Sequence, residues 1–233
     1  SAKWSAAEKF LSDARFERYG KLAPKSKADF AFLLHDLYHL RPDGIMAIVL
    51  PHGVLFRGGE EEKIRTNLIE KNHIDTIIGL PSNIFFGTGI PTIIMLLRQK
   101  RENNDVLIID ASKQFIKAGK QNKLQAGHIK KIVDTVIERK SIDKFSKVVS
   151  QEEIRKQGYN LNIPRYVDSS DANEVWDIYA TMHGGIPKSE IALLNAYWQA
   201  FPSLKSQLFR DDNTPYCQLA TDNITQTIIQ NSE

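Results

Sequence analysis

Two adjacent phenylalanines, Phe85 and Phe86, lie in a stretch rich in glycine and proline, GLPSNIFFGTGIP at residues 79–91. The stretch separates two apolar runs, IDTIIG and TIIMLL, which have the composition of buried strands. Aromatic rings beyond the end of a strand can line a ligand site, and Gly87 and Gly89 would let the backbone approach that ligand closely. Alternatively, the rings plug the end of the core and the glycines serve only the turn.

Charged and polar side chains follow two further predicted strands. The segment SKQFIKAGKQNK is a flexible basic loop suited to phosphate contacts, or a merely solvated loop, and its lysines are Lys113, Lys117, Lys120 and Lys123. The segment LPHGVLFRGG contains His52 and Arg57, which either line the substrate side of a site or belong to a plain loop. Both segments are therefore candidates for contact with an anionic ligand.

Sequence motifs of common catalytic and metal sites are absent. The sequence contains no Walker loop, no H-E-x-x-H and no G-x-S-x-G. His35 and His39 are four residues apart but lack a third ligand nearby, which favours a surface or core role over metal binding. GTGI at residues 87–90 is not a dinucleotide fingerprint, because no helix opens after it. We expect no metal site, and the chain considered alone has an incomplete reaction site.

Helices and strands alternate in the predicted first half of the chain. Residues 27–40 have apolar side chains at helical spacing, and IMAIVLP follows as a short apolar run typical of a central strand covered on both faces. Residues 60–71 form a second predicted helix, and IDTIIGL follows as a strand. This order predicts a right-handed crossover in a parallel sheet. The loop at residues 81–91 leaves no room for a helix, so TIIMLLRQ is predicted to run antiparallel.

The pattern changes near residue 168. Before it, DVLIIDA is a predicted strand, residues 127–139 a helix, and YNLNIPRYV an extended segment. Beyond it, EIALLNAYWQAF and SLKSQLF are helical patterns separated by Pro202. We therefore predict one domain at residues 1–168 and a helical tail at residues 169–233.

Length and composition indicate a globular protein of a reducing compartment. The 233 residues, 42% of them hydrophobic, suffice for one domain with an appendage. The single cysteine, Cys217, excludes an internal disulfide and a cysteine-rich zinc site. No run of about 18 apolar residues is present, and the first residues lack the pattern of a signal peptide. We expect no membrane partner and a cytoplasmic location.

Charge is distributed unevenly along the chain. Residues 98–165 carry 16 Lys and Arg against 8 Asp and Glu, a balance that attracts a phosphate backbone or forms a solvated basic surface. Residues 166–233 carry 3 Lys and Arg against 9 Asp and Glu, so the tail is expected to repel phosphates and to bind protein instead. Its apolar flank is a candidate subunit interface, or packs within the tail, and consists of Leu194, Tyr197, Trp198 and Phe201.

Several stretches closely resemble the modification (methylation) subunit of type I restriction-modification systems: ADFAFLLHDLYHLRPDGIMAIVLPHGVLFRGG, IIGLPSNIFFGTGIPTIIMLLRQKR, VLIIDASKQF and YNLNIPRYV. The resemblance implies an S-adenosylmethionine-dependent adenine methyltransferase. The family's glycine-rich cofactor motif and its Asn/Asp-Pro-Pro-Tyr/Phe motif are absent, and in the family the latter lies just before a segment like SAKWS. We therefore expect an α/β fold comprising the C-terminal half of a Rossmann-like class I methyltransferase sheet with an antiparallel strand, followed by a small helical tail.

The same resemblance implies roles for the candidate residues. Such enzymes rotate the target adenine out of the duplex, and one of Phe85 and Phe86 is expected to stack on it while the other packs. His52, Arg57, Gly87 and Gly89 would lie on the DNA side. The implied catalytic motif lies upstream of Ser1, so the chain alone is expected to be inactive and to bind no S-adenosylmethionine.

The resemblance also implies partners. These are double-stranded DNA and the specificity and restriction subunits of a type I complex, where a separate subunit specifies the target sequence. The rival interpretation is an autonomous protein-interaction or DNA-binding module that uses a half Rossmann sheet as its scaffold.

Overall fold

The computed structural model describes residues 2–5, 7–169 and 177–231. The chain divides into two units, Ser1–Ser170 and Asp171–Glu233, and the predicted boundary lies two residues before this division. In the first unit the helices are α1 Asp29–His39, α2 Glu60–Glu70, α3 Ala126–Glu138 and α4 Gln151–Lys156. Its strands are β1 Ile45–Pro51, β2 Ile74–Gly79, β3 Thr92–Arg98, β4 Val106–Asp110, β5 Ile116–Ala118, β6 Gln121–Lys123 and β7 Ser146–Val149.

Five of these strands form a mixed sheet in the order β1-β3-β2-β4-β7. Strand β3 lies between β1 and β2 and is antiparallel to both, while β2 and β4 are parallel. Because β3 is antiparallel to each of its neighbours, β1 and β2 run in the same direction, as a crossover through α2 requires. The predicted antiparallel direction of β3 is therefore confirmed.

Strand β1 was predicted to be central, and this was wrong. Within the described residues it pairs only with β3 and forms an edge of the sheet. One face, with Leu50 buried and Met46 and Ile48 partly buried, packs against the core, whereas Ile45 and Val49 on the other face are about half exposed. The run is apolar on both faces, so its composition alone could not distinguish a covered face from an open one.

The sheet separates two apolar cores. Helices α1 and α2 cover one face, where Leu33, Leu37 and Leu68 belong to the same apolar cluster as the β3 residue Met95. Helix α3 covers the other face over β2 and β4, and its Ile132 packs with the smaller core there. Alternate residues of β4 belong to opposite cores, which explains its continuous apolar sequence.

The segment YNLNIPRYV was predicted to be extended, and this was also wrong. Tyr159 has a φ of 56°, and a short 3-10 helix, Ile163–Arg165, follows. The buried Arg65 of α2 holds the start of the segment by donating from Nε to the carbonyl oxygen of Tyr159, 2.7 Å away. Asn160 then accepts from the amide of Asn162, and these polar contacts favour a turn over a strand.

The second unit contains a small sheet that the sequence did not predict. Its helices are α5 Ile178–His183, α6 Lys188–Leu193, α7 Asn195–Ala200, α8 Pro202–Leu208 and α9 Ile224–Gln230. Its strands, β8 Ile186–Pro187, β9 Phe209–Asp211 and β10 Tyr216–Leu219, form an antiparallel sheet with β10 in the centre. Cys217 lies buried in β10. In the part of the chain that the structure describes, no helix is both long and apolar enough to cross a membrane.

Candidate nucleic-acid interface

The loop between β2 and β3 begins at the carboxyl end of β2, where open α/β sheets bind ligands. Leu80 donates its amide to Thr92 at the far end of the loop, and His52 donates its amide to Pro91. Gly87 has a φ of 77°, which favours glycine. A Cβ at Gly89 would lie 2.9 Å from the Asn83 side chain, so this glycine permits close approach within the loop itself.

Both phenylalanine rings of this loop point away from the two cores. Phe86 is 91% exposed and Phe85 is 43% exposed. Neither ring belongs to either apolar cluster of the first unit. Two aromatic faces at the end of a strand are thus available to a ligand, and the stacking role stays a prediction.

The predicted flexible basic loop is instead a two-stranded hairpin. Strands β5 and β6 pair antiparallel around Gly119, whose φ is 63°. Hairpin residues Lys117, Lys120 and Lys123 are exposed to solvent, and so is Lys113 just before it. A short hairpin with a glycine turn needs few apolar residues when another part of the protein supports it. The basic sequence of this segment therefore gave no signal of strands.

The hairpin lies against the aromatic loop. The two form the walls of an open groove of about 540 Å³, with Asn83 and residues 85–89 on one side and Ala118, Lys120 and Gln121 on the other. Asn122 joins the walls by donating its amide to the Asn83 carbonyl and its Nδ2 to the Ser82 carbonyl. An aromatic wall facing a cationic one can take a planar, negatively charged ligand such as a nucleotide.

His52 and Arg57 follow β1 but differ in environment. Burial lowers the pKa of His52, and the Asp110 carboxylate partly opposes that shift. The Arg57 guanidinium donates to Glu61 at 3.1 Å and to Asp29 at 3.3 Å, both buried carboxylates. Arg57 is thus engaged within the protein, whereas the partly buried His52 remains near the strand ends.

Sequence reasoning missed Asp110, at the carboxyl end of β4. Its side chain is buried and accepts from the amide of Ser112 at 2.9 Å and from the Ser169 hydroxyl at 2.5 Å. A charged residue closing the apolar run VLIID was the signal that could have identified it. Asn122 was missed as well, because one amide among lysines carries no sequence signal. Within the described ranges, no cluster of three His, Cys, Asp or Glu side chains could hold a metal ion.

The predicted apolar flank of the second unit is only partly available. Leu194, Tyr197 and Phe201 are 44%, 63% and 37% exposed. Trp198 is instead turned inward: its indole Nε1 donates to the Ile191 carbonyl at 2.7 Å, and its ring packs edge-on against Phe209. Three of the four side chains therefore remain candidates for a contact surface.

Comparison with known proteins gives consistent matches. The sequence model of the family N-6 DNA Methylase matches residues 1–175. The type I restriction enzyme MpnII methylase subunit of Mycoplasma pneumoniae is 41% identical over 186 residues, 78% of this chain and 34% of that protein. The MjaVII methylase subunit of Methanocaldococcus jannaschii is 39% identical over 165 residues, 68% of this chain and 28% of that protein.

A solved structure matches as well. The type I restriction-modification system methyltransferase subunit from Streptococcus thermophilus superimposes with a TM-score of 0.71 at 60% identity, covering 72% of this chain and 36% of that one. The chain therefore spans about a third of the length of these relatives.

Proposed function

Because the chain belongs to the N-6 DNA Methylase family, we propose that it forms part of an adenine-specific DNA methyltransferase of a type I restriction-modification system. The reaction is transfer of a methyl group from S-adenosylmethionine to the N6 amine of adenine in DNA. Relatives at 41% and 39% identity are methylase subunits of type I restriction enzymes, which supports the assignment.

The fold agrees with this family. The mixed sheet, with β3 antiparallel between β1 and β2, is the arrangement expected of a Rossmann-like methyltransferase sheet, and the likeness to the Streptococcus thermophilus subunit bears it out. The predicted fold class and the resemblance to type I modification subunits are thus confirmed.

The turn between β1 and α2 does not have the form of an S-adenosylmethionine site. In Rossmann-like folds a nucleotide cofactor lies over an open, glycine-rich turn between strand and helix. Here the Arg57 side chain occupies the start of the turn from β1 to α2, since a Cβ at Gly53 would lie 2.5 Å from the guanidinium, although Gly59 at the end of the turn has open space. Helix α2 then begins with three glutamates. When bound, the cofactor supplies the electrophilic methyl group, and we place its site outside these residues.

This chain contributes a surface for the extruded adenine. The observation that carries the proposal is the exposed pair Phe85 and Phe86 on a loop at the carboxyl end of β2. An adenine rotated out of a duplex needs an aromatic face to replace the stacking it has lost. Such stacking stabilises a bound base by about 1–3 kcal/mol. Phe86, the more exposed ring, is the stacking residue, and Phe85 supports it.

DNA contacts beyond the base come from the basic middle of the chain. The lysines of the hairpin are exposed and can neutralise phosphates and release counterions, and Lys120 among them lines the groove beside the aromatic loop. His52 lies near the same strand ends, and its lowered pKa keeps it neutral at physiological pH. Arg57 supports that region from within, through its ion pairs with Asp29 and Glu61.

The experiment uses the methyltransferase that contains this segment together with its cofactor-binding part. Phe86→Ala removes the stacking face, so capture of an extruded base should weaken roughly 5- to 150-fold. An extruded 2-aminopurine at the target position should become brighter, while affinity for S-adenosylmethionine stays the same. Phe86→Trp should restore capture.

Phe32→Ala, on the half-exposed Phe32 of α1, is the matched control and should change none of these readouts. Unchanged methylation and fluorescence in both Phe85→Ala and Phe86→Ala, with the fold intact, would refute the stacking role.

The second unit is proposed to contact the specificity and restriction subunits. Its exposed Leu194, Tyr197 and Phe201 offer apolar contact area, and its acidic balance disfavours DNA. The assembled enzyme would act on double-stranded DNA in the cytoplasm.

A further inference from the structure

Asn122 is the one buried side chain of a hairpin that otherwise faces solvent. It is 5% exposed, whereas the nearby Lys120 and Lys123 are exposed to solvent. A buried amide is retained where it has hydrogen-bond partners. The partners here belong to the loop that carries the phenylalanines, and not to the hairpin itself.

The two hydrogen bonds of Asn122 reach consecutive carbonyl groups. Its Nδ2 donates to Ser82 at 2.7 Å and its backbone amide to Asn83 at 2.9 Å. Because one residue donates to two adjacent carbonyl groups, these bonds fix the orientation of the loop as well as its position. Asn83 has a φ of 52°, and its side chain turns back toward Gly89. Phe85 therefore lies two residues after the backbone segment that these two hydrogen bonds fix.

The groove that results is asymmetric in chemistry. One wall contains Phe85 and Phe86, and the other contains Lys120 at the hairpin turn. Its volume, about 540 Å³, lies in the range of small-ligand sites. A nucleotide has the same asymmetry, with a flat base at one end and a phosphate at the other.

We propose that the β5–β6 hairpin and the aromatic loop form a single nucleotide clamp, with Asn122 as the positioning residue. Lys120 contacts the phosphate of the nucleotide whose base stacks on Phe86, and Asn122 sets the distance between the two walls. The inference rests on the proposed function, since it assumes an extruded base. It selects Lys120 among the basic residues and assigns a role to Asn122.

The test uses the methyltransferase that contains this segment together with its cofactor-binding part, and a duplex with 2-aminopurine opposite an abasic site, so that extrusion costs little. Binding is measured by fluorescence anisotropy at several salt concentrations, and stacking by 2-aminopurine brightness. Asn122→Ala should brighten the base and weaken binding at least about fivefold, while the salt dependence stays the same because no lysine is lost. Lys120→Ala should reduce the salt slope by about one.

A double-mutant cycle separates a clamp from mere structural support. If Asn122 acts through the loop, Asn122→Ala should have little further effect in a Phe86→Ala background. Asn67→Ala is the matched control, because it also removes side-chain bonds to two backbone carbonyls, those of Tyr19 and Lys63, away from the groove. Lys63→Ala, an exposed lysine of α2, controls for charge and should leave the salt slope unchanged.

The outcomes are distinguishable. If Phe86→Ala matters but Asn122→Ala leaves brightness unchanged or adds its full effect to Phe86→Ala, the clamp is refuted and the stacking proposal survives. If Lys120→Ala leaves the salt slope unchanged, the phosphate contact is refuted. If Phe86→Ala changes neither binding nor brightness, both proposals fail.

Discussion

Replacing the buried Arg65 with methionine should destabilise the first unit severely. Arg65 is 2% exposed, and its guanidinium donates three hydrogen bonds to backbone carbonyls. The acceptors are Tyr159 at 2.7 Å, Arg57 at 2.9 Å and Val54 at 3.1 Å. Arg65 thus ties α2 to the turn after β1 and to the segment that begins at Tyr159. Methionine fills much of the same volume but offers no donor.

The magnitude follows from those contacts. Hydrogen bonds to a charged group contribute about 1.5–3 kcal/mol each, so three would contribute roughly 5–9 kcal/mol. Burial of the cation opposes this, as the lowered pKa of Arg65 indicates, and the desolvation of a buried ion costs several kcal/mol. The expected net loss is about 2–4 kcal/mol, a large share of the roughly 5–15 kcal/mol that stabilises a typical domain.

Urea unfolding followed by circular dichroism measures the loss. The stability of Arg65→Lys should lie between those of the wild type and Arg65→Met, because a single ammonium cannot donate to all three carbonyls with good geometry. Lys63→Met, on the exposed side of the same helix, should change the free energy of unfolding by no more than about 0.5 kcal/mol. Hydrogen exchange at the Leu161 amide, which donates to Leu55, should accelerate in Arg65→Met. A loss below about 1 kcal/mol with unchanged exchange would refute the reasoning.

Two other predictions concern acid stability and the cofactor. The bidentate Arg155 lowers the pKa of Glu70 to about 2, so Glu70 stabilises the fold above its unfolded pKa of about 4.3, and this contribution is lost as pH falls from there toward 2. Glu70→Gln should therefore flatten the stability profile in that window, and an unchanged profile in acid denaturation would contradict it. S-adenosylmethionine titrated into the 233-residue chain in a calorimeter should give no binding heat, and micromolar binding would contradict the proposed location of its site.

Local patterns predicted most of the sheet. The antiparallel direction of β3 could be predicted because the loop before it leaves no room for a helix that would carry the chain back. Helix α1 could be found because Phe30, Leu33 and Leu37 repeat at helical spacing. These signals depend on sequence neighbours alone, so no knowledge of tertiary structure was needed.

The errors arose where distant contacts decide the structure. The edge position of β1 depends on what covers Ile45 and Val49, and the turn at Tyr159 depends on Arg65, almost a hundred residues earlier. At the candidate site, Phe85 and Phe86 were identified by composition. Asn122 could not be, because its partners at Ser82 and Asn83 lie about 40 residues away.

The unequal sizes of the two cores give the molecule two levels of local stability. The face under α1 and α2 buries 28 apolar residues among those described, whereas the face under α3 buries seven and leaves Ile137 of that helix largely exposed. The hairpin continues into α3 through Leu124, which packs on the smaller core. Regions with little buried apolar surface open at lower free energy than the whole domain. Leu80, at the start of the aromatic loop, belongs to this smaller core as well, so both walls of the groove are attached to the face of the sheet with less buried apolar surface.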